Sequence, residues 1–168
     1  NYRLLDDLLI YFPGTGKFLE PVNATFRYPF VQAYFAGTKG LFLKGTTLGD
    51  FKTAVARFDS IPMHSHEMNA NNLYIYIRFD ENTDSVILHT KQSLSGYSAT
   101  SYRPAYSFLP KEKQEEFTRE VIKSISNTES IRNIKVENDA MTDCARNLPL
   151  NIIADVTSND LTEVAGNK

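Results

Sequence analysis

The chain has no tryptophan, a single cysteine, no long apolar run and almost no net charge. Each shortage removes a class of protein. Cys144 stands alone, so no internal disulfide framework can hold the fold together. The longest apolar stretch, near Leu8 to Phe12, is far below the roughly 20 residues a helix needs to cross a bilayer. A net charge of −2 leaves no basic footprint of the kind nucleic-acid binders carry, so nucleic acid is not an expected partner. No internal repeat and no low-complexity linker breaks the sequence. The chain opens on Asn1 without a charged leader and closes without a turn or helix cap, and it reads as a piece of something longer.

What remains is ordinary globular composition. Over 168 residues, 42% hydrophobic and 23% charged content suit one domain that buries roughly 70% of its unfolded surface. The aromatics are all Tyr and Phe, which lean toward sheet. The clearest pattern lies mid-chain. Leu73, Ile75, Ile77 and Phe79 alternate with Tyr74, Tyr76 and Arg78, the period of a strand with one dry face. A polar turn, Asp80 to Asp84, leads into a β-branched run from Ser85 to Lys91, so the pair reads as an antiparallel hairpin. Leu4 to Phe12 predicts a buried strand that returns at Lys17 to Glu20 after a Pro13–Gly16 turn.

Pro21 to Gly49 predicts an ordered loop over a hydrophobic edge, with a short strand at Leu41 to Leu43. Phe51 to Ile61 reads as a strand of imperfect alternation, and His64 to Asn72 as a polar loop. Ser93 to Pro104 is open between an extended strand and a short helix disrupted by Pro104. The helix expected over about 110–126 carries Phe117, Val121, Ile122 and Ile125 on one stripe, with Glu115 and Arg119 paired outside. Two strands follow, at Ile131 to Glu137 and Pro149 to Val156. The expected class is α+β, mainly β: an antiparallel sheet or sandwich with one amphipathic helix packed on it.

Few residues carry recognisable chemistry. His64 and His66 would share a face if they lay on a strand, and could hold a metal with Glu67 or His89 as a further ligand. A solvated loop explains the same residues. Cys144 could act as a nucleophile beside one of His64, His66 or His89, but nothing around it would lower a thiol pKa. Pro13 to Lys17 lacks the spacing of a phosphate loop and is a hairpin turn. Asn23-Ala-Thr25 matches a glycosylation sequon, which matters only in a eukaryotic secretory setting. Tyr74 and Tyr76 could stack on a sugar or peptide, or fill the second face of a sheet. With Phe26 and Tyr28 in the Gly/Pro-rich segment, they are the candidate binding residues. No cofactor is implied.

From Asn71 onward the order of segments is specific: the hairpin, Ser95-Gly-Tyr97 with Ala99 and Arg103, the Lys/Glu-rich helix, Ile134-Lys-Val-Glu-Asn138 and Leu148-Pro-Leu-Asn-Ile152. This order resembles the C-terminal part of secreted Bacteroidetes proteins that carry a transglutaminase-like core flanked by β-rich domains. The resemblance implies a core like that of papain-type cysteine hydrolases, with a Cys-His-Asp triad. Leu5-Asp-Asp7-Leu8 and Phe18-Leu-Glu20-Pro21 match the phrases that hold the His and the acid, so Asp7 stands where the family has His and Glu20 where it has Asp.

A carboxylate cannot take a thiol's proton and return it to a leaving group as an imidazole does. The expectation is therefore a degenerate triad, no catalytic residue in this chain, and a pseudoenzyme as the parent protein. The resemblance divides the chain into 1–49, the end of the core, and 50–168, a β-rich accessory domain. It implies a periplasmic or secreted location and protein or glycan of the cell envelope as partner. The function expected is a non-catalytic accessory or binding module. The alternatives are an active transglutaminase-like cysteine hydrolase whose catalytic part is mostly missing here, and a metal-binding module.

Overall fold

The structure, a computed structural model, describes residues 7–79, 85–126, 128, 130–158 and 161. It is mainly β, with antiparallel pairing throughout and a few helices. Strand β1 (Ile10–Phe12) pairs with β2 (Lys17–Leu19) through the expected turn, where the N–H groups of Thr15 and Gly16 both donate to the Phe12 carbonyl. The first strand is shorter than its apolar sequence suggests and is not buried: Ile10, Tyr11 and Phe12 are all exposed, and Leu8 lies exposed outside it. Residues 1–6 fall outside the described residues.

Between Pro21 and Gly49 the chain departs from the expected loop. A 3-10 turn at Ala33–Phe35 seats Phe35 against Phe18, Val31 and Ile61. Then comes a ten-residue strand, β3 (Lys39–Leu48), where only Leu41 to Leu43 looked extended. It pairs along its whole length with β4 (Phe51–Ser60) across Gly49–Asp50. Gly49 takes φ +60, a backbone conformation that glycine adopts without strain. Both faces of β4 are exposed, so no buried side imposes a clean two-residue alternation. The division expected at 49/50 falls on this turn, between two paired strands.

A second sheet forms the larger body. β5 (Ala70–Phe79) pairs with β6 (Val86–Ser95), and the order runs β5-β6-β8-β7 with β7 at Ile131–Glu137 and β8 at Leu150–Ser158. The turn expected at Asp80–Asp84 lies outside the described residues. The ambiguous segment adopts both of its readings in succession. Strand β6 continues to Ser95, then α1 (Tyr97–Thr100) and α2 (Arg103–Phe108) follow. Pro104 does not disrupt the helix: it sits in the first turn of α2, where a missing N–H costs nothing.

Helix α3 (Lys111–Ser126) covers the residues its stripe predicted, and Arg119 pairs with Glu115 on its outer side. Its buried Ile122 meets Val86, Leu88, Ile131, Ile152, Ala154 and Val156 from the sheet. Leu94, Leu150, Ala99 and Tyr106 continue the core toward α1 and α2. Helices therefore cover one face of the sheet, over β6, β8 and β7. The expected dry face of β5 is not dry: Leu73, Ile75, Ile77 and Phe79 lie on the helix side but are 44–63% exposed. The helix layer stops short of this edge.

Two devices lock the helices to the sheet. Arg103, 1% exposed, donates through Nε to the Asn138 carbonyl, through Nη2 to the Leu148 carbonyl and through Nη1 to the Cys144 sulfur. It ties α2 to both ends of the segment linking β7 and β8. At the end of β6, Gly96 takes φ +57, and a Cβ there would collide with the Met68 carbonyl and the Asn69 side chain. Asn69 Oδ1 accepts from Tyr97 N–H at 2.7 Å, and Asn147 Oδ1 from Gly96 N–H at 3.3 Å.

This layout predicts unequal costs for apolar truncation. Ile122→Ala should lower the unfolding free energy by about 2–5 kcal/mol. Phe58→Ala, at a β4 position 79% exposed, should change it by less than ~0.5 kcal/mol. Urea titrations followed by circular dichroism measure both, and equal losses would contradict the placement of the core.

Candidate functional site

The strands alternate, so the face of the sheet opposite the helices is fixed by register. β5 contributes Asn72, Tyr74, Tyr76 and Arg78, and β6 contributes Ser93, Lys91, His89 and Ile87 opposite them. β8 adds Asn151, Ile153, Asp155 and Thr157. Among the described residues no helix covers this face, and Tyr74 and Tyr76 stand 57% and 67% exposed on it.

At its centre lies an ordered polar set. His89 is directly opposite Asp155 across the β6–β8 ladder, and its Nδ1 sits 2.6 Å from Asp155 Oδ1. Asn133 Nδ2 donates to the other carboxylate oxygen at 2.6 Å. Asn133 reaches it from an irregularity in β7, between Arg132 and Lys135, where its backbone takes φ +52. An extra residue at such a bulge re-aims a side chain, and asparagine tolerates the left-handed backbone better than most residues. The Tyr76 ring lies 5.8 Å from the His89 ring. Beside this set, Lys135 and Asn151 both bond the Glu137 carboxylate.

These contacts set the charges on the face. The Asn133 hydrogen bond is the largest influence on Asp155 and holds its pKa below the ordinary value of 3.8; burial opposes this, while the His89 contact and the Arg78 charge assist. The Lys135 and Asn151 hydrogen bonds lower Glu137 likewise. With Nδ1 engaged, His89 has Nε2 left to donate or accept. The face thus offers two flat aromatic surfaces beside oriented polar groups. Among the described residues, no cysteine lies on it. Sequence reasoning pointed to Tyr74 and Tyr76 but missed Asp155 and Asn133, because the pairing of β6 with β8 joins residues 66 positions apart.

The other candidates fall elsewhere. The Tyr34 hydroxyl accommodates both expected triad positions in its surroundings: desolvation raises its pKa most, followed by the charge and hydrogen bond of Asp7 and the charge of Glu20. Glu20 is buried and engaged by Gln32, accepting from its backbone N–H at 3.2 Å and its Nε2 at 2.6 Å. His64 and His66 do not lie on a strand. His64 packs on Phe30 and Tyr97, with ring centroids 4.9 and 5.7 Å away, whereas exposed His66 begins a 3-10 turn at His66–Met68 capped by Ser65. Burial first, then Lys17, pushes the His64 pKa below its usual range. Among the described residues, no group of three or more His, Cys, Asp or Glu side chains could hold a metal.

Phe26 also packs on Tyr97, and Tyr28 packs edge-on against Phe12 while its hydroxyl donates to Thr15. These two rings therefore brace the chain against itself. Cys144 is buried in a 3-10 turn at Met141–Arg146. Among the described residues, the polar contact at its sulfur is the Arg103 guanidinium, not an imidazole.

The polar set has a testable signature. Because the folded pKa of Asp155 is depressed, its stabilising contribution is complete above the ordinary value of 3.8 and fades as pH falls through the folded value. Carboxyl NMR titration should find Asp155 below 3.8, and Asn133→Ala should move it upward. An unchanged titration in the variant would remove Asn133 from the set.

Comparison with protein-family models gives no match, and none is found among curated proteins or solved structures.

Proposed function

We propose that the chain is a non-catalytic β-rich binding module belonging to a transglutaminase-like protein of the bacterial cell envelope, and that its open sheet face holds a glycan. The observation that carries this reading is the pair of projecting rings, Tyr74 and Tyr76, alongside the Asp155–His89–Asn133 set. Aromatic faces pack against the C–H faces of a sugar ring, and fixed carboxylate, imidazole and amide groups can bond its hydroxyls. An open sheet face suits a chain of sugars better than a small molecule, which needs a concave pocket.

The same reading explains the amino-terminal hairpin. Asp7 and Glu20 supply two carboxylates and no imidazole, and Glu20 is occupied by Gln32. That pair supports a pseudoenzyme parent rather than an active hydrolase.

Isothermal titration against soluble peptidoglycan fragments and envelope polysaccharides tests the proposal. Binding by the native chain should weaken at least tenfold in Tyr74→Ala/Tyr76→Ala, with unchanged circular dichroism. Absence of binding across both glycan classes, or binding indifferent to the double substitution, would refute it.

A further inference from the structure

The outer edge of β5 has no strand beside it among the described residues, and side chains along it from Asn71 to Phe79 are exposed. A long edge strand with free backbone N–H and C=O groups is ordinarily shielded by a proline, a bulge, inward-facing charges or a covering element. Among the described residues, β5 has none of these shields. It pairs with β6 without irregularity, contains no proline, and its helix-side residues are Leu73, Ile75, Ile77 and Phe79. Its one charge is Arg78, on the opposite face.

We infer that β5 pairs antiparallel with β5 of a second copy of this chain, across a two-fold axis at Tyr76. Directly opposite residues in an antiparallel pair share a face, so the two-fold joins apolar to apolar and aromatic to aromatic. In this register Leu73 meets Phe79 of the second copy, and Ile75 meets Ile77. Tyr76 faces its own equivalent on the open side. Arg78 meets the Tyr74 ring, where a guanidinium is attracted to the π-face. A homodimeric strand pair fails when its charges meet their own copies. Here the single cation of the strand meets an aromatic ring instead, and this charge complementarity favours a second copy over an unrelated partner. The result is a continuous eight-stranded sheet, from two sheets of four strands each. It removes both β5 edges from water and brings Tyr74 and Tyr76 of the two copies onto one surface.

The inference goes beyond the glycan reading and is measured separately from it. Sedimentation equilibrium of the native chain at micromolar to submillimolar concentration should give a dimer. Ile75→Lys/Ile77→Lys, at positions 44% and 54% exposed, should give a monomer with unchanged circular dichroism. Tyr76→Cys should form a covalent dimer under mild oxidation far faster than Asn72→Cys, with buried Cys144 inert in both. A native monomer throughout the range overturns the inference, as does a dimer that survives the double lysine substitution. Equal crosslinking at 72 and 76 overturns the register.

Discussion

The arrangement of this protein depends on how far one layer of helices reaches across a four-stranded sheet. Ile122 of α3 meets side chains of β6, β7 and β8, and α1 packs at the end of β6. Burial of these apolar surfaces is the main favourable contribution to the fold. The layer ends before β5. The same alternating pattern that is buried on β6 is therefore left exposed on its neighbour, and this limit separates the stable interior from the surfaces open to interaction.

The placement of the helices is held by polar groups as well as by packing. Burying an arginine is costly unless its donors are matched, and Arg103 directs them to two main-chain carbonyls and a sulfur. Gly96 leaves room for the Met68–Asn69 backbone and side chain to close on the start of α1. Tyr97 then extends the other way, its hydroxyl donating to the Val31 carbonyl at 2.8 Å. One short segment thereby connects the amino-terminal cluster around Phe18 and Phe35 with the main sheet.

The open face acquires its character from what the helix side excludes. Strand geometry sends every second residue away from the core, and on β5 those residues are Asn72, Tyr74, Tyr76 and Arg78. The polar set behind the tyrosines is assembled from three strands, and its geometry depends on the irregular backbone at Asn133. Buried Glu20 lacks comparable freedom, because it is already bonded by Gln32.

Local pattern was enough to locate the central hairpin, α3, β7 and β8, since each carries its own hydrophobic period or end signal. It was misleading at β3, where Gly40 and Gly45 and a polar tail disguise a strand that is defined by its pairing with β4. At His64 and His66 the loop suggested by the polar sequence is what the structure has, with His66 opening a 3-10 turn and no extended backbone to give the two rings a common face. Alternation announced that β5 has an apolar side, but only the reach of α3 decided that this side stays open. Likewise, the meeting of His89, Asp155 and Asn133 belongs to the tertiary fold, because a ladder joining residues 66 apart leaves no trace in either local sequence.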